Sequence, residues 1–326
     1  MAEATGAIRA AGVDCGTNSI RLLIADVAPA AGRLRDVARL MEIVRLGEGV
    51  DRTGRFAPEA LRRTLAAVAR YGERCRAEGV ERLRFVATSA TRDAANRDVF
   101  LDGVRAELGV EAEVIDGLEE ARLSFAGALT ALPPGLPAPY LCVDLGGGST
   151  ELALGGAEPS WAYSMDVGCV RMTERFLRSD PPTPAEVRQA ADAVDQVLDA
   201  ASRHVPLGRA ATVIGLAGSI TTVTAHALGL ERYQPERIDG AVLPLERMLG
   251  SCQELWEAAR AERARLGFMH PGRVDVIGAG ALVWSRVLRR VRRAVEAEGR
   301  RLDQVVTSEH DILDGIALSA ARAASA

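Results

Sequence analysis

The sequence predicts an α/β protein built from two copies of one domain. The chain has 326 residues, and at about 100 to 200 residues per domain this length predicts two domains. Each half begins with three consecutive apolar, β-branched runs that are typical of strands. The pattern D-x-G-x-x-S occurs at Asp14–Ser19 and again, 130 positions later, at Asp144–Ser149. Two copies at equivalent places predict a duplicated domain with a ligand between the copies.

The first half is predicted to fold in the order βββαβαβα. A helical pattern begins near Pro58 and ends at Gly79, residues that favour the start and the end of a helix. The remaining elements follow from apolar periodicity and turn residues. The predicted strands are 7–13, 20–27, 37–46, 83–88 and 111–115, and the other helices are 93–108 and 119–129.

A cluster of proline and glycine residues over 133–139 interrupts regular structure and predicts the domain boundary. We therefore expect one domain over 1–132, joined by a C-terminal helix at 308–326, and a second over 133–307. The second half repeats the plan of the first with insertions. Its predicted strands are 140–144, 151–154, 161–167, 212–216 and 274–277, and its helices are 170–177, 185–203 and one after each of the last two strands.

Composition excludes several classes of function. All 40 basic residues are arginines, so the chain has no P-loop lysine and no lysine for Schiff-base chemistry. The formal net charge of −4 gives no overall attraction to nucleic acid or to an anionic membrane. Aromatic residues make up 4% of the chain, which argues against base-stacking surfaces. No nucleic-acid or membrane partner is therefore expected.

The sequence also predicts a cytoplasmic protein. The five cysteines are odd in number and contain no C-x-x-C pair, so neither a disulfide framework nor a zinc site is expected. The N-terminal residues lack the apolar core of a signal peptide. Residues 210–230 carry no Asp, Glu or Arg but contain two glycines, a serine and four threonines before His226. We interpret this segment as a strand, a glycine turn and a helix rather than a membrane span.

The two glycine-rich turns are candidate phosphate-binding loops. Glycine permits positive φ and close approach, so such turns present backbone N–H groups to an anion. Hydroxyl and amide side chains in both loops add uncharged donors. The alternative is that the glycines serve only the geometry of two tight hairpins. The candidate residues are Gly16, Thr17, Asn18 and Ser19 in the first loop and Gly146, Gly147, Gly148 and Ser149 in the second.

Carboxylates at the ends of apolar strands are costly unless they bind something. Asp14 and Asp144 each open a glycine turn, and Glu151 follows the second turn. Because Mg²⁺ takes one or two carboxylates together with water and phosphate oxygens, these three residues are candidate Mg²⁺ ligands, although another divalent cation would also fit. The alternative for Glu151 is ordinary exposure at the surface.

Two later glycine turns follow predicted strands. Gly218 and Ser219 open a predicted helix, whose N-terminal dipole would favour an anion. Gly278 and Gly280 form the second of these turns. Neither turn matches the G-x-G-x-x-G pattern, so a dinucleotide-binding fold is rejected.

One helix start carries an acidic residue without a structural role. Asp116 is a favourable N-cap, and Glu119 can complete a capping box. This leaves Glu120 to accept a proton from an attacking water, although an N-terminal glutamate also serves as a partner of the helix dipole. Arg92 lies at a strand-to-helix junction, where its guanidinium would clamp phosphate oxygens. The alternative is a surface arginine beside Asp93.

These motifs together resemble the exopolyphosphatase/guanosine pentaphosphate phosphohydrolase family, Ppx/GppA. The resemblance rests on seven ordered blocks and continues to SEHDILDG at 308–315. The blocks are DCGTNSIRLLI (14–24), ATSATRDAANRDVF (87–100), IDGLEEARLSFAG (115–127), VDLGGGSTEL (143–152), DVGCVRMTERF (166–176), GLAGSITT (215–222) and RVDVIGAGALV (273–283).

The resemblance implies an actin-like (sugar kinase/actin/Hsp70) fold of duplicated ribonuclease H-like domains with an interdomain cleft. It also implies Mg²⁺-dependent hydrolysis of a terminal phosphoanhydride, either of inorganic polyphosphate or of guanosine pentaphosphate, by a homodimer. The family's water-activating glutamate falls on Glu120, and its metal-supporting residues fall on Asp144 and Glu151. The two glycine loops and Arg92 would hold phosphates, with Gly218 and Ser219 less firmly assigned. This chain looks like the short form without an HD-type domain.

Two other functions fit parts of the same pattern. An actin-like kinase would need a phosphoacceptor and a catalytic aspartate, and the Glu119-Glu120-Ala121 block fits hydrolysis better. A sensor that binds polyphosphate or a guanosine alarmone without turnover has no use for a positioned base. The presence of Glu120, Asp144 and Glu151 therefore favours an enzyme.

Overall fold

The computed structural model describes residues 7–28 and 32–322. The chain divides into two compact units, Met1–Thr130 with Asp311–Ala326 and Ala131–His310. The sequence placed these boundaries at 132/133 and 307/308. The C-terminal helix begins at Ile312 rather than at 308, and residues 323–326 of the expected helix lie outside the described residues.

The N-terminal unit is an α/β structure with a five-stranded sheet in the order β3-β2-β1-β4-β5. Strands β1 to β3 are antiparallel, and β4 and β5 run parallel to β1. The strands are β1 Ile8–Cys15, β2 Ser19–Ala28, β3 Arg33–Ile43, β4 Arg82–Ala87 and β5 Ala112–Val114. The helices are α1 Val50–Thr53, α2 Pro58–Ala77, α3 Ser89–Asp93, α4 Arg97–Leu108, α5 Gly117–Ala128 and, at the C-terminal end, α13 Ile312–Arg322.

Both faces of this sheet are covered, which explains the nearly continuous apolar strands. On one face, Val13 and Leu22 belong to a core that includes Val68 of α2 and Phe100 of α4. On the other face, the first two strands pack against α13. The sheet therefore requires the C-terminal helix to complete its core.

The C-terminal unit repeats this plan around a six-stranded sheet in the order β10-β11-β9-β6-β7-β8. Strands β6 to β8 are antiparallel, β9 runs parallel to β6, and β11 runs parallel to β9. The strands are β6 Tyr140–Leu145, β7 Thr150–Gly155, β8 Pro159–Met165, β9 Thr212–Leu216, β10 Val242–Pro244 and β11 Gln304–Thr307. The helices are α6 Cys169–Phe176, α7 Pro184–His204, α8 Ala217–Ala227, α9 Pro235–Ile238, α10 Leu245–Glu257, α11 Arg260–Arg263 and α12 Ile277–Ala297. Read from β8 to β11, the order reproduces that of the first sheet and confirms the predicted duplicated, actin-like α/β fold class.

The prediction of a strand at 274–277 was wrong. Pro271–Arg273 forms a 3₁₀ turn, and α12 begins at Ile277. Gly278 and Gly280 therefore lie in the first turns of a helix and not in a glycine turn. Short apolar, β-branched runs do not distinguish a strand from a buried helix start, and here tertiary packing selects the helix. The fifth strand of the repeat is Gln304–Thr307, which the sequence analysis missed.

Two elements of the first half also differ from prediction. The third strand is Arg33–Ile43 rather than 37–46, because the chain turns away after Ile43 and Arg45 adopts φ 50°. The helix expected over 93–108 is two helices, α3 and α4, separated at Ala94, whose backbone is extended.

Segment 210–230 folds as β9 followed directly by α8, so Gly218 and Ser219 lie in the first turn of α8. Within the described part of the chain we find no helix with the length and apolar content that spanning a membrane requires.

Candidate active site

The first glycine loop joins β1 to β2 and is held by the segment after β3. The Gly16 amide donates to the Ser19 carbonyl at 3.0 Å and closes the turn. The Thr17 carbonyl accepts from the Gly47 amide at 2.8 Å, and the Asn18 carbonyl accepts from two further amides of the same segment. In the part of the chain that the structure describes, the amides of Thr17 and Asn18 donate to no acceptor. This arrangement of occupied carbonyls and available amides favours an anion.

The second glycine loop joins β6 to β7 and has the same closure. The Gly146 amide donates to the Ser149 carbonyl at 3.0 Å. The Gly147 carbonyl accepts from two amides at the start of α6, at 2.8 and 3.1 Å, and the Gly148 carbonyl accepts from Nε of Arg171 at 2.8 Å. Among the described residues the amides of Gly147 and Gly148 have no acceptor. Both loops therefore carry the features that the sequence predicted for phosphate binding, beyond the geometry of a simple hairpin.

Each loop is packed against a glycine that the sequence analysis did not assign. A Cβ on Gly47 would lie 2.3 Å from Cγ2 of Thr17, and a Cβ on Gly168 would lie 2.5 Å from the carbonyl carbon of Gly147. Gly168 is within a block quoted for the family resemblance, but only the folded chain shows which backbone it approaches. Both glycines permit a close contact that fixes a loop.

The candidate base and the candidate phosphate-binding arginine of the N-terminal unit lie together. Nη1 of Arg92, in the short helix α3, donates to Oε2 of Glu120 at 2.8 Å and to the Ile115 carbonyl at 2.8 Å. Glu120 is 8% exposed in the first turn of α5. The Asp116 side chain caps this helix, as predicted, by accepting from the amides of Leu118 and Glu119. Arg92 therefore orients the carboxylate of Glu120.

Glu119 is partly exposed and Glu120 is buried, so the two neighbouring glutamates have different surroundings. Glu119 does not complete the expected capping box. Its carboxylate instead lies 3.5 Å from Nη2 of Arg84 and is 37% exposed. Glu120 is buried beside Arg92. The assignment of Arg92 as a surface residue beside Asp93 does not hold.

The second hairpin places two buried carboxylates opposite one another. Asp144 on β6 pairs with Glu151 on β7, and the two residues are 6% and 2% exposed. Surface exposure, the alternative considered for Glu151, is therefore wrong. Its Oε1 accepts from the Ser164 hydroxyl at 2.7 Å. Like charges directly opposite one another in a sheet are destabilising, and a cation between them removes that cost.

The donor set fits Mg²⁺ held only in part by protein. No group of three His, Cys, Asp or Glu side chains that could hold a metal occurs within the described residues. Mg²⁺ binds through one or two carboxylates and completes its coordination with water and phosphate oxygens. The facing pair Asp144 and Glu151 matches that requirement.

The first hairpin departs from this pattern. Asp14, predicted as a third metal ligand, lies opposite Arg21. Nε and Nη2 of Arg21 donate to Oδ2 of Asp14 at 2.9 and 2.7 Å. An arginine thus faces Asp14 where a carboxylate faces Asp144, so the pair of facing carboxylates consists of Asp144 and Glu151.

The cysteines beside the hairpin aspartates are not nucleophiles. Burial, reinforced by the neighbouring aspartates, raises the pKa of Cys15 and of Cys142. Burial likewise raises the pKa of Cys169 at the start of α6. Because the thiolate is the reactive form, these thiols remain inert at neutral pH.

The start of α8 adds an arginine that the sequence analysis missed. Gly218 and Ser219 lie in its first turn, after Ala217, which adopts φ 68°. A Cβ on Gly218 would lie 2.2 Å from Nη2 of Arg273, so the guanidinium rests on the glycine backbone. Among the described residues Arg273 has no carboxylate partner and no side-chain hydrogen bond. An unpaired guanidinium beside a helix N-terminus favours the binding of an anion. The sequence analysis missed the contact because Gly218 and Arg273 are far apart in the sequence.

Comparisons with known proteins agree with this geometry. The model of the Ppx/GppA phosphatase family matches residues 23–302. The chain is 52% identical over 320 residues to Exopolyphosphatase 2 of Mycobacterium tuberculosis, covering 96% of this chain and 98% of that protein. A crystal structure of an exopolyphosphatase-like protein is 48% identical and superposes with a TM-score of 0.92, covering 96% and 98% of the two chains. The Ppx-GppA enzyme of Aquifex aeolicus is 30% identical with a TM-score of 0.78, covering 96% and 99%.

Proposed function

Because the chain belongs to the Ppx/GppA phosphatase family, we propose that it is an exopolyphosphatase. It hydrolyses the terminal phosphoanhydride bond of inorganic polyphosphate and releases orthophosphate. The observation that carries this proposal is Glu120, a buried carboxylate at a helix start with one oxygen fixed by Arg92 at 2.8 Å. A protein that only binds polyphosphate has no use for a base held in this way.

Glu120 accepts a proton from the attacking water. The oxygen of that water forms a bond to the terminal phosphorus while the bridging P–O bond breaks, and the shortened chain leaves with the bridging oxygen. Such a base contributes about 10²- to 10⁴-fold to the rate. The remaining acceleration comes from positioning and charge stabilisation, which dominate phosphoryl transfer.

The phosphates are held by neutral donors and by two arginines. The amides of Thr17, Asn18, Gly147 and Gly148 would donate to phosphate oxygens, and the hydroxyls of Ser19 and Ser149 would add further uncharged donors. Arg92 and Arg273 add positive charge, and Gly218 and Ser219 add the N-terminus of α8. Each of these groups favours phosphate locally, so the proposal does not depend on the net charge of the whole chain, which is −4.

Asp144 and Glu151 would hold Mg²⁺ through their carboxylate oxygens. When bound, the ion neutralises charge on the phosphate oxygens. The support for this assignment is that two buried carboxylates face each other across the hairpin, and carboxylate oxygens are ligands that Mg²⁺ prefers. Asp14 acts on the first loop through Arg21 and is not assigned to the metal.

The experiment is Mg²⁺-dependent phosphate release by the wild type, Glu120→Gln and Glu119→Gln. Short polyphosphate, long polyphosphate and guanosine pentaphosphate are supplied in parallel. Glu120→Gln lowers phosphate release by about 10²- to 10⁴-fold. Glu119→Gln removes the neighbouring, half-exposed carboxylate and retains activity. Equal activity of the wild type and Glu120→Gln contradicts the proposed role.

The substrate arms distinguish the alternatives. Both compounds present the same terminal anhydride, so the site residues alone do not tell the two substrates apart. Release from guanosine pentaphosphate but not from polyphosphate identifies a guanosine pentaphosphate phosphohydrolase. Binding of all three compounds with no release identifies a sensor. The proposal requires release from polyphosphate.

We also propose that the enzyme is a cytoplasmic homodimer. All five cysteines are free and buried, which suits a reducing compartment. The homodimer is the assembly that the family resemblance implies. Sedimentation equilibrium is expected to give twice the mass of the chain, and the mass of a single chain at micromolar concentration contradicts the dimer. Cell fractionation with detection of the native protein checks the compartment.

A further inference from the structure

Three charged side chains in the N-terminal unit form a continuous link. Arg21 on β2 donates through Nε and Nη2 to Oδ2 of Asp14 and through Nη1 to Oδ2 of Asp311. Asp14 and Asp311 are 5% and 2% exposed. Burial opposes the charge on Arg21, but the carboxylates of Asp311 and Asp14 outweigh it and raise the pKa of the guanidinium. The link is therefore a buried ionic triad with a single cation at its centre.

Asp311 also contacts the helix that carries the proposed base. Its Oδ1 accepts from the Leu313 amide at 3.0 Å at the start of α13. A Cβ on Gly127 of α5 would lie 1.7 Å from the Asp311 carbonyl oxygen, and one on Gly315 would lie 2.1 Å from the Leu123 carbonyl oxygen. The two helices thus meet at glycines with backbone against backbone, and α5 begins with the turn that holds Glu120.

We propose that Arg21 and Asp311 are positioning residues that fix the first phosphate loop relative to the helix of Glu120. The side chain of Asp311 reaches the loop through Arg21 and Asp14, and its carbonyl is packed on α5. One residue therefore touches both the anchor of a phosphate-binding element and the support of the base. This inference rests on the proposed function, because the loop and Glu120 are the groups that it positions.

The same helix offers a matched control. Arg39 on β3 donates to Asp314 of α13 at 2.6 and 3.1 Å, and Asp314 is fully buried. Like the pair of Arg21 and Asp311, this pair joins a strand arginine to an aspartate at the start of α13; Asp311 precedes the helix and Asp314 lies in its first turn. The other ion pair of Arg39 is with Asp36 on its own strand, away from the glycine loop.

The experiment compares Arg21→Met, Arg39→Met, Asp311→Asn and the double variant Arg21→Met/Asp311→Asn. Thermal midpoints, amide hydrogen exchange and steady-state phosphate release from short polyphosphate are measured well below each midpoint. Both arginine variants lower the midpoint, because each removes the cation that is paired with a buried aspartate. Only Arg21→Met and Asp311→Asn are expected to lose about 10- to 100-fold in kcat, the effect of a displacement of about 1 Å.

Three further results identify positioning. Exchange of the Gly16 amide, whose hydrogen bond to the Ser19 carbonyl closes the loop, accelerates in Arg21→Met and not in Arg39→Met. The double variant loses no more kcat than the worse single variant, because both substitutions break one link. The kcat loss persists when polyphosphate is saturating. Equal kcat in Arg21→Met and Arg39→Met, or additive losses in the double variant, overturns the inference.

Failure of the proposed function gives a different result. If the wild type releases no phosphate from any substrate, hydrolysis of a terminal phosphate is not its reaction. Arg21 then positions no catalytic base. Hydrogen exchange still decides whether Arg21 fixes the loop. A wild type that is active beside an Arg21→Met variant with unchanged kcat and unchanged exchange refutes only the positioning role.

Discussion

Asp14 faces Arg21 across the first glycine hairpin, whereas Asp144 faces Glu151 at the same place in the second. Both hairpins lie on the three antiparallel strands of their sheets, and both close with a glycine-to-serine hydrogen bond of 3.0 Å. The residue two positions after the serine is Arg21 in the first hairpin and Glu151 in the second, and this difference changes the charge of the facing pair. In the first copy the aspartate faces a cation of the protein, whereas in the second it faces another carboxylate.

The difference shows how two copies of one fold can come to have different roles in the same protein. An aspartate at a strand end is costly when buried, and each copy reduces that cost in its own way. In the first copy Arg21 joins the hairpin to Asp311 and so to α13. In the second copy the facing carboxylates are the pair that we propose to hold Mg²⁺, an ion that also binds phosphate oxygens.

The largest effect on stability is expected from Arg21→Glu, which gives the first hairpin the charges of the second. The new carboxylate would face Asp14 and Asp311 with no cation, and losing one partner of a buried pair costs about 3 to 5 kcal/mol. Urea unfolding with and without Mg²⁺ measures the change. Mg²⁺ should restore part of the loss and stabilise this variant more than the wild type. An unchanged free energy of unfolding contradicts the assigned role of Arg21.

A smaller effect is expected from adding a methyl group behind each loop. In Gly168→Ala the new Cβ meets the Gly147 backbone, and in Gly47→Ala it meets the side chain of Thr17. Overpacking costs about 1 to 3 kcal/mol, and a backbone yields less readily than a side chain. Gly168→Ala should therefore lose more stability in chemical denaturation. A greater loss in Gly47→Ala contradicts this account of the two supports.

The smallest effect concerns the capping box at the start of α7, which Thr183 and Glu186 form. Hydrogen bonds from the backbone and side chain of Thr183 lower the pKa of Glu186 to about 2. A lowered pKa adds stability above the unfolded value of about 4.3, and this stability is lost as the pH falls through the folded value. Glu186→Gln should lower the thermal midpoint slightly at pH 7.

The pH dependence separates the cap from a general effect of charge. The difference between Glu186→Gln and the wild type should shrink as the pH falls from 5 to 3. Glu59→Gln in the first turn of α2 is the control, because the N-cap of that helix, Ala57, makes no side-chain hydrogen bond. A difference for Glu186→Gln that is constant with pH excludes the cap as its source.

Local patterns predicted much of this molecule. The hairpins, the Asp116 cap and helix α2 follow from turn residues, capping residues and apolar periodicity, which act over a few positions. The buried position of Glu120 agrees with its having no local structural role. Local patterns also misassigned 274–277, because the same apolar run suits a strand and the start of a buried helix.

The missed features depend on contacts distant in sequence. Arg21 meets Asp311 across 290 positions, and Gly218 receives the side chain of Arg273. Neither partner has a local signature, since an arginine on a strand is ordinary until a buried aspartate is placed beside it.

The most direct test of the division between the hairpins is the Mg²⁺ dependence of phosphate release. The wild type, Glu151→Gln and Asp14→Asn are compared with short polyphosphate as substrate. The Mg²⁺ concentration for half-maximal rate should rise about tenfold or more in Glu151→Gln, as it does when even an outer partner of a metal site is lost. It should stay at the wild-type value in Asp14→Asn. An equal rise in Asp14→Asn, or none in Glu151→Gln, would contradict the assignment of the cation to the second hairpin.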